Sequence, residues 1–163
     1  PHYLDRKNVG LFTKHRVFTE TEMHARYEIH LENYCKVLNI EALTMLDMVN
    51  KEILPAVTGY IKELCDAALT KRSLDAGISS EVETSLAARL SALSASLYKK
   101  TGDLNAALMG VKEHPDMEDC ALYYKDRVLV AMQETRAVAD ELETLTAKKC
   151  WPFPTYGDIL FSV

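Results

Sequence analysis

The sequence predicts an all-α fold: an up-down bundle of three to four long helices followed by an extended aromatic C-terminal tail. Glycine and proline are scarce, with six and five in 163 residues, and they cluster at a few positions between long helical patterns. Apolar residues within those patterns recur every three or four residues, as one buried helix face requires. Alternation typical of a strand is limited to two candidate stretches, 9–12 and 159–161.

The first long helix is predicted to begin at a capping box. Thr19 is placed as the N-cap with Glu22 three residues later, and Phe18 with Met23 forms the matching hydrophobic staple. Pro55 is expected to kink or break the helix because proline lacks a backbone N–H. The predicted apolar face comprises Met23, Tyr27, Leu31, Tyr34, Leu38, Ala42, Met45, Val49, Ile53, Tyr60, Leu64 and Ala68.

The second long helix is expected after the loop 73–80, where Ser80 and Glu83 match a second capping box. Seven-residue steps of apolar residues run across Gly102. One helix is therefore predicted through this glycine, which costs about 1 kcal/mol relative to alanine. The predicted face comprises Val82, Leu86, Leu90, Leu93, Leu97, Leu104, Leu108 and Val111.

The third long helix is predicted from about residue 116 to residue 149, after the turn 114–116. Lys148 and Lys149 are expected in its last turn, where cations suit the helix dipole. Sustained heptads favour coiled-coil-like crossing angles of about +20°. Two series of residues seven apart run along this helix: Met117, Tyr124, Ala131, Val138 and Leu145, and Ala121, Val128, Thr135 and Leu142.

These elements divide the chain into a connecting segment at 1–18, a helical bundle at 19–150 and a docking tail at 151–163. The tail holds four of the thirteen aromatic residues, and its two prolines force extended geometry on the residues before them. Ordering such a segment is favourable only if its rings are buried. We expect the tail to dock on its own bundle or on a neighbouring domain or subunit, through Trp151, Phe153, Tyr156 and Phe161.

Composition and charge exclude several classes of protein. The net charge is −5 and the positive charges are scattered, which argues against a nucleic-acid partner. No apolar run approaches the roughly 18–20 residues of a membrane span, and no signal-peptide pattern opens the chain, so a cytoplasmic protein is predicted. The chain starts at Pro1, as expected either for a piece of a longer protein or after loss of an initiator methionine.

No self-contained active site is predicted. The four cysteines lie far apart in sequence, which excludes a CxxC spacing and favours a structural role. No histidine follows a glutamate by three residues, so a di-iron bundle is disfavoured. His24 and Glu28 lie one turn apart, a spacing more typical of a surface contact than of a metal pair. No glycine-rich phosphate loop or nucleophile motif occurs, so catalytic, cofactor-binding and metal-binding residues are predicted to be absent.

Four blocks of the chain resemble one family. They are the tail Trp-Pro-Phe-Pro-Thr-Tyr-Gly-Asp-Ile-Leu-Phe at 151–161, the opening block Lys-Asn-Val-Gly-Leu-Phe at 7–12, and two shorter blocks at 25–29 and 40–42. Their order and spacing resemble the C-terminal helical region of type III glutamine synthetases over essentially the whole chain. The tail is the most specific of these motifs.

The resemblance implies a parent enzyme that joins ammonia to glutamate with ATP and a divalent metal such as Mg²⁺, assembled as stacked hexameric rings. Its catalytic residues and ATP site would lie in earlier domains, so none is assigned to this chain. The implied role is structural, with the catalytic domain of the same polypeptide and neighbouring subunits as partners. The alternative is a free-standing helical-bundle adaptor or regulatory protein that binds a protein partner. A metal or phosphotransfer enzyme is the remaining class.

Overall fold

A computed structural model describes residues 2–154 and 156–161, and of Tyr156 only the backbone. The described residues form helices and turns, and none of them lies in a strand, so the all-α prediction is confirmed. The helices are α1 (Arg6–Lys14), α2 (Glu20–Met48), α3 (Leu54–Leu74), α4 (Glu81–Gly110), α5 (Met117–Tyr123), α6 (Leu129–Leu145) and α7 (Tyr156–Leu160). Both candidate strands are wrong, because 9–12 lies in α1 and 159–160 ends α7.

Three long helical rods make an up-down bundle. The π-helical turn Val49–Ile53 joins α2 to α3, and the π-helical turn Tyr124–Val128 joins α5 to α6. The middle rod, α4, returns antiparallel to both. Against the third rod, Arg89 meets Glu141 at 2.9 Å and Lys100 meets Glu134 at 2.6 Å. Against the first rod, Lys71 near the end of α3 meets Glu83 at 2.6 Å, and Leu104 shares the first core with residues of α2.

The predicted break at Pro55 is replaced by the π-helical turn. Pro55 is the second residue of α3, and the wider turn Val49–Ile53 directly precedes it. Proline cannot donate the usual backbone hydrogen bond, and its ring clashes with the carbonyl four residues earlier. A local π turn accommodates that misfit without ending the helix. The first rod therefore continues through the proline, and the bundle has three long rods rather than four.

The two predicted capping boxes have different outcomes. At α2 the box is confirmed: the Thr19 hydroxyl accepts from the Glu22 amide at 3.2 Å, and the Glu22 carboxylate accepts from the Thr19 amide at 2.7 Å. At α4 the box is wrong. Ser80 is the N-cap residue, but its hydroxyl accepts from Arg72 Nε at 2.9 Å, and Glu83 accepts from Lys71 Nζ at 2.6 Å. These side chains tie the end of α3 to the start of α4 instead.

The third rod ends four residues earlier than predicted, at Leu145. Thr146 has extended backbone angles (φ −82°, ψ 136°), and its hydroxyl donates to the Leu142 carbonyl at 2.7 Å. Lys148 and Lys149 therefore lie beyond the helix rather than in its last turn. They pair instead with carboxylates elsewhere in the fold, Asp158 and Glu63.

Two clusters of buried side chains hold the rods together. The first core lies between α2, the second half of α4 and the start of the third rod, and it comprises Cys35, Leu38, Ala42, Leu104, Ala121, Tyr124, Val128 and Met132. The second core comprises Val49, Ile53, Val57, Leu90, Leu97 and Leu142. The residues of the predicted faces are buried or half-buried except Tyr34 and Val82, which are 38% and 73% exposed. Cys35 is buried in place of Tyr34.

Candidate functional site

The tail begins with two aromatic side chains packed on the bundle. Trp151 and Phe153 are half-buried and contact the second core. A short turn directs them there, because the amides of Cys150 and Trp151 both donate to the Ala147 carbonyl, at 2.8 and 3.2 Å. The segment around Pro152 and Pro154 is not helical, as the prolines predicted.

The end of the tail is arranged differently. It forms the short helix α7 where an extended segment was expected, and an ion pair between Lys148 and Asp158 holds α7 near the end of the third rod. Phe161, predicted to dock, is 80% exposed, and its neighbours Ile159 and Leu160 are 62% and 73% exposed. The Tyr156 side chain lies outside the described part of the chain. The structure thus places Trp151 and Phe153 together and Phe161 apart from them.

A groove opens between the first rod, the third rod and the tail. We name it the tail groove; its cavity has a volume of about 680 Å³. Its apolar lining includes Met45, Met48, Val49, Met132, Trp151 and Phe153. Its polar lining consists of Glu41, Thr44, Thr135, Arg136, Asp140 and Glu143. The tail therefore forms one wall of a partly apolar groove whose polar lining includes three carboxylates.

A second feature lies on α2, on the side opposite the first core. Ile29, Val37, Ile40 and Leu43 are 53%, 52%, 63% and 51% exposed, and we name them the outer face. Their spacing places them on one side of the helix, whereas Cys35, Leu38 and Ala42 point into the core. Sequence reasoning missed this surface. The signal was a second apolar series on the same helix, which the search for a single buried face passed over.

The perturbed ionisable groups of the first core suit packing better than catalysis. Burial and contact with Cys120 raise the pKa of the Cys35 thiol to about 11, which disfavours the reactive thiolate. Burial likewise raises the pKa of Tyr124, whose hydroxyl lies 3.3 Å from Asn39 Oδ1 and donates to it. All four cysteines are free thiols. These groups are held in their neutral forms inside the core.

Metal-binding side chains are not brought together in the part of the chain that the structure describes. Within residues 2–154 and 156–161, no three His, Cys, Asp or Glu side chains are arranged to hold a metal ion. His24 and Glu28 both lie exposed on α2. Across the same residues, none of the helices combines the length and the apolar character needed to cross a bilayer.

Comparison with known proteins identifies the family. A family model of the glutamine synthetase C-terminal domain matches residues 1–72. The chain is 36% identical to a glutamine synthetase of Butyrivibrio fibrisolvens over 163 residues, covering 100% of this chain and 23% of that protein. It is 29% identical to a type-3 glutamine synthetase of Dictyostelium discoideum, covering 95% of this chain and 22% of that protein.

A third relative, a glutamine synthetase of Bacteroides fragilis (strain YCH46), is 24% identical over 99% of this chain and 23% of its own length. The chain thus spans less than a quarter of the length of the curated relatives it matches. These matches confirm the resemblance that the sequence blocks indicated. The chain belongs to the glutamine synthetase family, as its C-terminal helical domain.

Proposed function

We propose that this chain is a non-catalytic structural and assembly domain of a glutamine synthetase. In this proposal the outer face and the exposed end of the tail pack on the catalytic domain of the same polypeptide and on neighbouring subunits. The parent enzyme would carry out the ATP-dependent ligation of ammonia to glutamate with Mg²⁺, and it would bind both cofactors outside this chain. The domain would contribute shape and contacts rather than reacting groups.

The outer face is the observation that carries the proposal. Four aliphatic side chains on one side of α2 are each more than half exposed, and they lie opposite a well-formed core. Large apolar side chains grouped on one exposed side of a helix are typical of a protein interaction surface. The relatives are more than four times longer than this stretch, so such a polypeptide has ample surface to cover the patch.

The exposed end of the tail supports the same role. Leu160 and Phe161 present two large apolar side chains to solvent directly after the anchored part of the tail, whereas Ile159 also lines the tail groove. Trp151 and Phe153 pack on the second core, and just before them Lys149 Nζ lies 2.6 Å from Glu63 Oε2. These contacts set the place where the tail leaves the bundle. A pre-positioned apolar segment loses less entropy on docking than a free one. This end of the tail would thus reach a neighbouring domain or subunit, while Trp151 and Phe153 stay on the bundle.

Assembly of the full-length enzyme tests the proposal. Leu43→Glu places a carboxylate in the outer face, and burying an unpaired charge in an interface is strongly unfavourable. We expect the association constant for assembly, measured by analytical ultracentrifugation, to fall by about tenfold or more, which corresponds to about 1.4 kcal/mol. Leu69→Glu is the matched control, since Leu69 is 65% exposed on α3 and lies outside the outer face. Equal assembly of the two variants at all concentrations would contradict the proposal.

The free-standing adaptor is distinguished by size. An antibody raised against this chain should detect a native polypeptide several times larger than 18.4 kDa in source cells if the chain is a domain of the enzyme. Detection at 18.4 kDa alone would favour the adaptor, whose partner would then have to cover the same outer face.

A further inference from the structure

The tail groove has the dimensions of a small-molecule site. Its volume of about 680 Å³ lies inside the range of roughly 300–1,000 Å³ that is usual for ligand pockets. Three separate segments wall it: the region from Ile40 to Ile53 on the first rod, the third rod, and the tail. Grooves between helices of a bundle are common places for ligand sites. The assembly role proposed above does not require this groove to hold anything.

The apolar part of the groove suits an apolar ligand body. Met45, Met48 and Met132 contribute flexible thioethers, which adapt to ligands of different shapes. Trp151 and Phe153 add two aromatic rings from the tail. An indole face attracts a cation positioned over it more strongly than any other side-chain ring. The groove therefore combines apolar packing with a ring that favours positive charge.

The charged lining favours the same sign. Three carboxylates, those of Glu41, Asp140 and Glu143, line the groove together with one guanidinium, that of Arg136. Arg136 Nε lies 3.5 Å from Asp140 Oδ2, so this pair is locally balanced. The carboxylates of Glu41 and Glu143 remain as an excess of two negative charges. An anionic ligand would meet repulsion here, whereas an ammonium group would meet two carboxylates in a groove that an indole ring also lines.

From this arrangement we propose that the tail groove binds a small organic cation with an apolar body, of the alkylammonium or arylalkylammonium class. The apolar body lies between the methionines and the two tail rings, and the ammonium group faces Glu41 and Glu143. Because Trp151 belongs to the tail, an occupied groove also holds the tail against the bundle.

Trp151 makes the test direct, because it is the only tryptophan in the 163 residues. The 163-residue chain is titrated with 4-phenylbutylamine, 4-phenylbutan-1-ol and 5-phenylvalerate, which share the phenylbutyl body and differ in charge. We expect a saturable change in Trp151 fluorescence with the amine, and binding at least about tenfold weaker for the alcohol and weaker still for the carboxylate. Saturation-transfer NMR on the same samples detects binding that leaves the fluorescence unchanged.

Two variants locate the site. Glu41→Gln with Glu143→Gln should weaken amine binding by about tenfold and leave alcohol binding unchanged. Glu28→Gln, at an exposed α2 position outside the groove, is the matched control for charge. Thr44→Phe fills the groove from an exposed position and should abolish binding of all three probes. Thermal unfolding verifies that each variant is folded.

Three results would overturn the proposal: equal affinity for amine and carboxylate, amine binding unaffected by Thr44→Phe, or no binding by either method at millimolar amine. Ile40 and Ile159 line the groove and also belong to the surfaces proposed for assembly, but Leu43 does not line the groove, so the Leu43→Glu assembly test and this titration probe different residues. Failure of one leaves the other standing.

Discussion

The two cores of the bundle differ in chemistry and in what completes them. The first core contains groups with hydrogen-bonding needs: Cys35, which contacts Cys120, and Tyr124, whose hydroxyl reaches Asn39. The six members of the second core are all aliphatic, and the aromatic side chains Trp151 and Phe153 pack against them. Polar groups inside a core must find particular partners, whereas aliphatic groups need only be covered. The hydrogen-bonded groups of the first core therefore constrain how the helices align, whereas the second core depends on side chains that cover it.

The side chains that cover the two cores also come from different parts of the chain. The first core is closed by residues of the rods themselves, with Leu31, Met117 and Leu129 packed around it. The second core is closed in part by residues beyond the end of the third rod. The stability of the second core should thus depend on the tail, whereas the stability of the first core should not.

The largest expected effects come from one leucine in each core. Leu97 and Leu104 both lie on α4 and are both 0% exposed. Leu97→Ala and Leu104→Ala should each lower the free energy of unfolding by about 2–5 kcal/mol, measured by urea denaturation. Native-state Trp151 fluorescence should shift for Leu97→Ala only, because Trp151 packs on the second core. A similar shift for Leu104→Ala would show that the two cores are not separate.

Replacing the two tail rings that cover the second core tests how far its stability depends on the tail. Trp151 and Phe153 are half-buried, so the double change Trp151→Ala with Phe153→Ala should lower the free energy of unfolding by about 2–4 kcal/mol, less than two fully buried rings would. Phe161→Ala is the matched control, since Phe161 is 80% exposed, and should change the isolated chain by less than about 0.5 kcal/mol. Circular dichroism under urea measures both. Comparable losses would mean that the whole tail, not its first part, supports the bundle.

A smaller effect is expected from the polar contact of the first core. Tyr124→Phe removes the hydroxyl that donates to Asn39 at 3.3 Å and should cost about 1 kcal/mol. Tyr98→Phe, at a position 70% exposed, should be neutral in the same urea experiment. If Tyr124→Phe stabilises the protein, the hydrogen bond between Tyr124 and Asn39 is destabilising and does not help to align the helices.

The smallest effect is a pH dependence outside both cores, at the junction of α3 and α4. The hydrogen bond from Lys71 holds the pKa of Glu83 below its ordinary value near 4.5. A carboxyl with a lower pKa in the folded state stabilises the fold above pH 4.5, and this contribution is lost as the pH falls through the folded value. Glu83→Gln should therefore lower Tm slightly at pH 7 and lower it less at pH 3. Equal Tm losses at both pH values would contradict this assignment.

Much of the fold could be predicted from sequence because it depends on periodicity and local chemistry. The heptad series placed Leu90, Leu97 and Leu104 in the cores, and the Thr19 box formed from residues three apart. The Ser80 box failed for a tertiary reason: Arg72 and Lys71 on the preceding helix compete for its two side chains. A local sequence pattern cannot include hydrogen-bond partners that come close only when the helices pack together.

The tail groove and the outer face lay beyond sequence reasoning for two further reasons. The groove exists only because the chain turns back at Thr146 and the tail returns beside α2, a path stabilised by the Lys149–Glu63 pair. No pattern in the tail itself specifies that direction. The outer face is visible as a second apolar series, but the sequence alone does not show whether an apolar residue on a helix is buried within its own domain. Phe161 shows the same ambiguity, since an aromatic-rich segment was expected to dock as a whole.

The π-helical turn before Pro55 sets the rotational phase of the first rod. Each residue of an α-helix advances the chain by about 100° around the axis. Deleting one residue from Val49–Ile53 would therefore rotate α3 by about that angle relative to α2, and Val57 and Ala68 would turn away from α4. A single-residue indel at this turn should thus be far more damaging than a conservative substitution there. Length, more than residue identity, is what this short stretch must preserve.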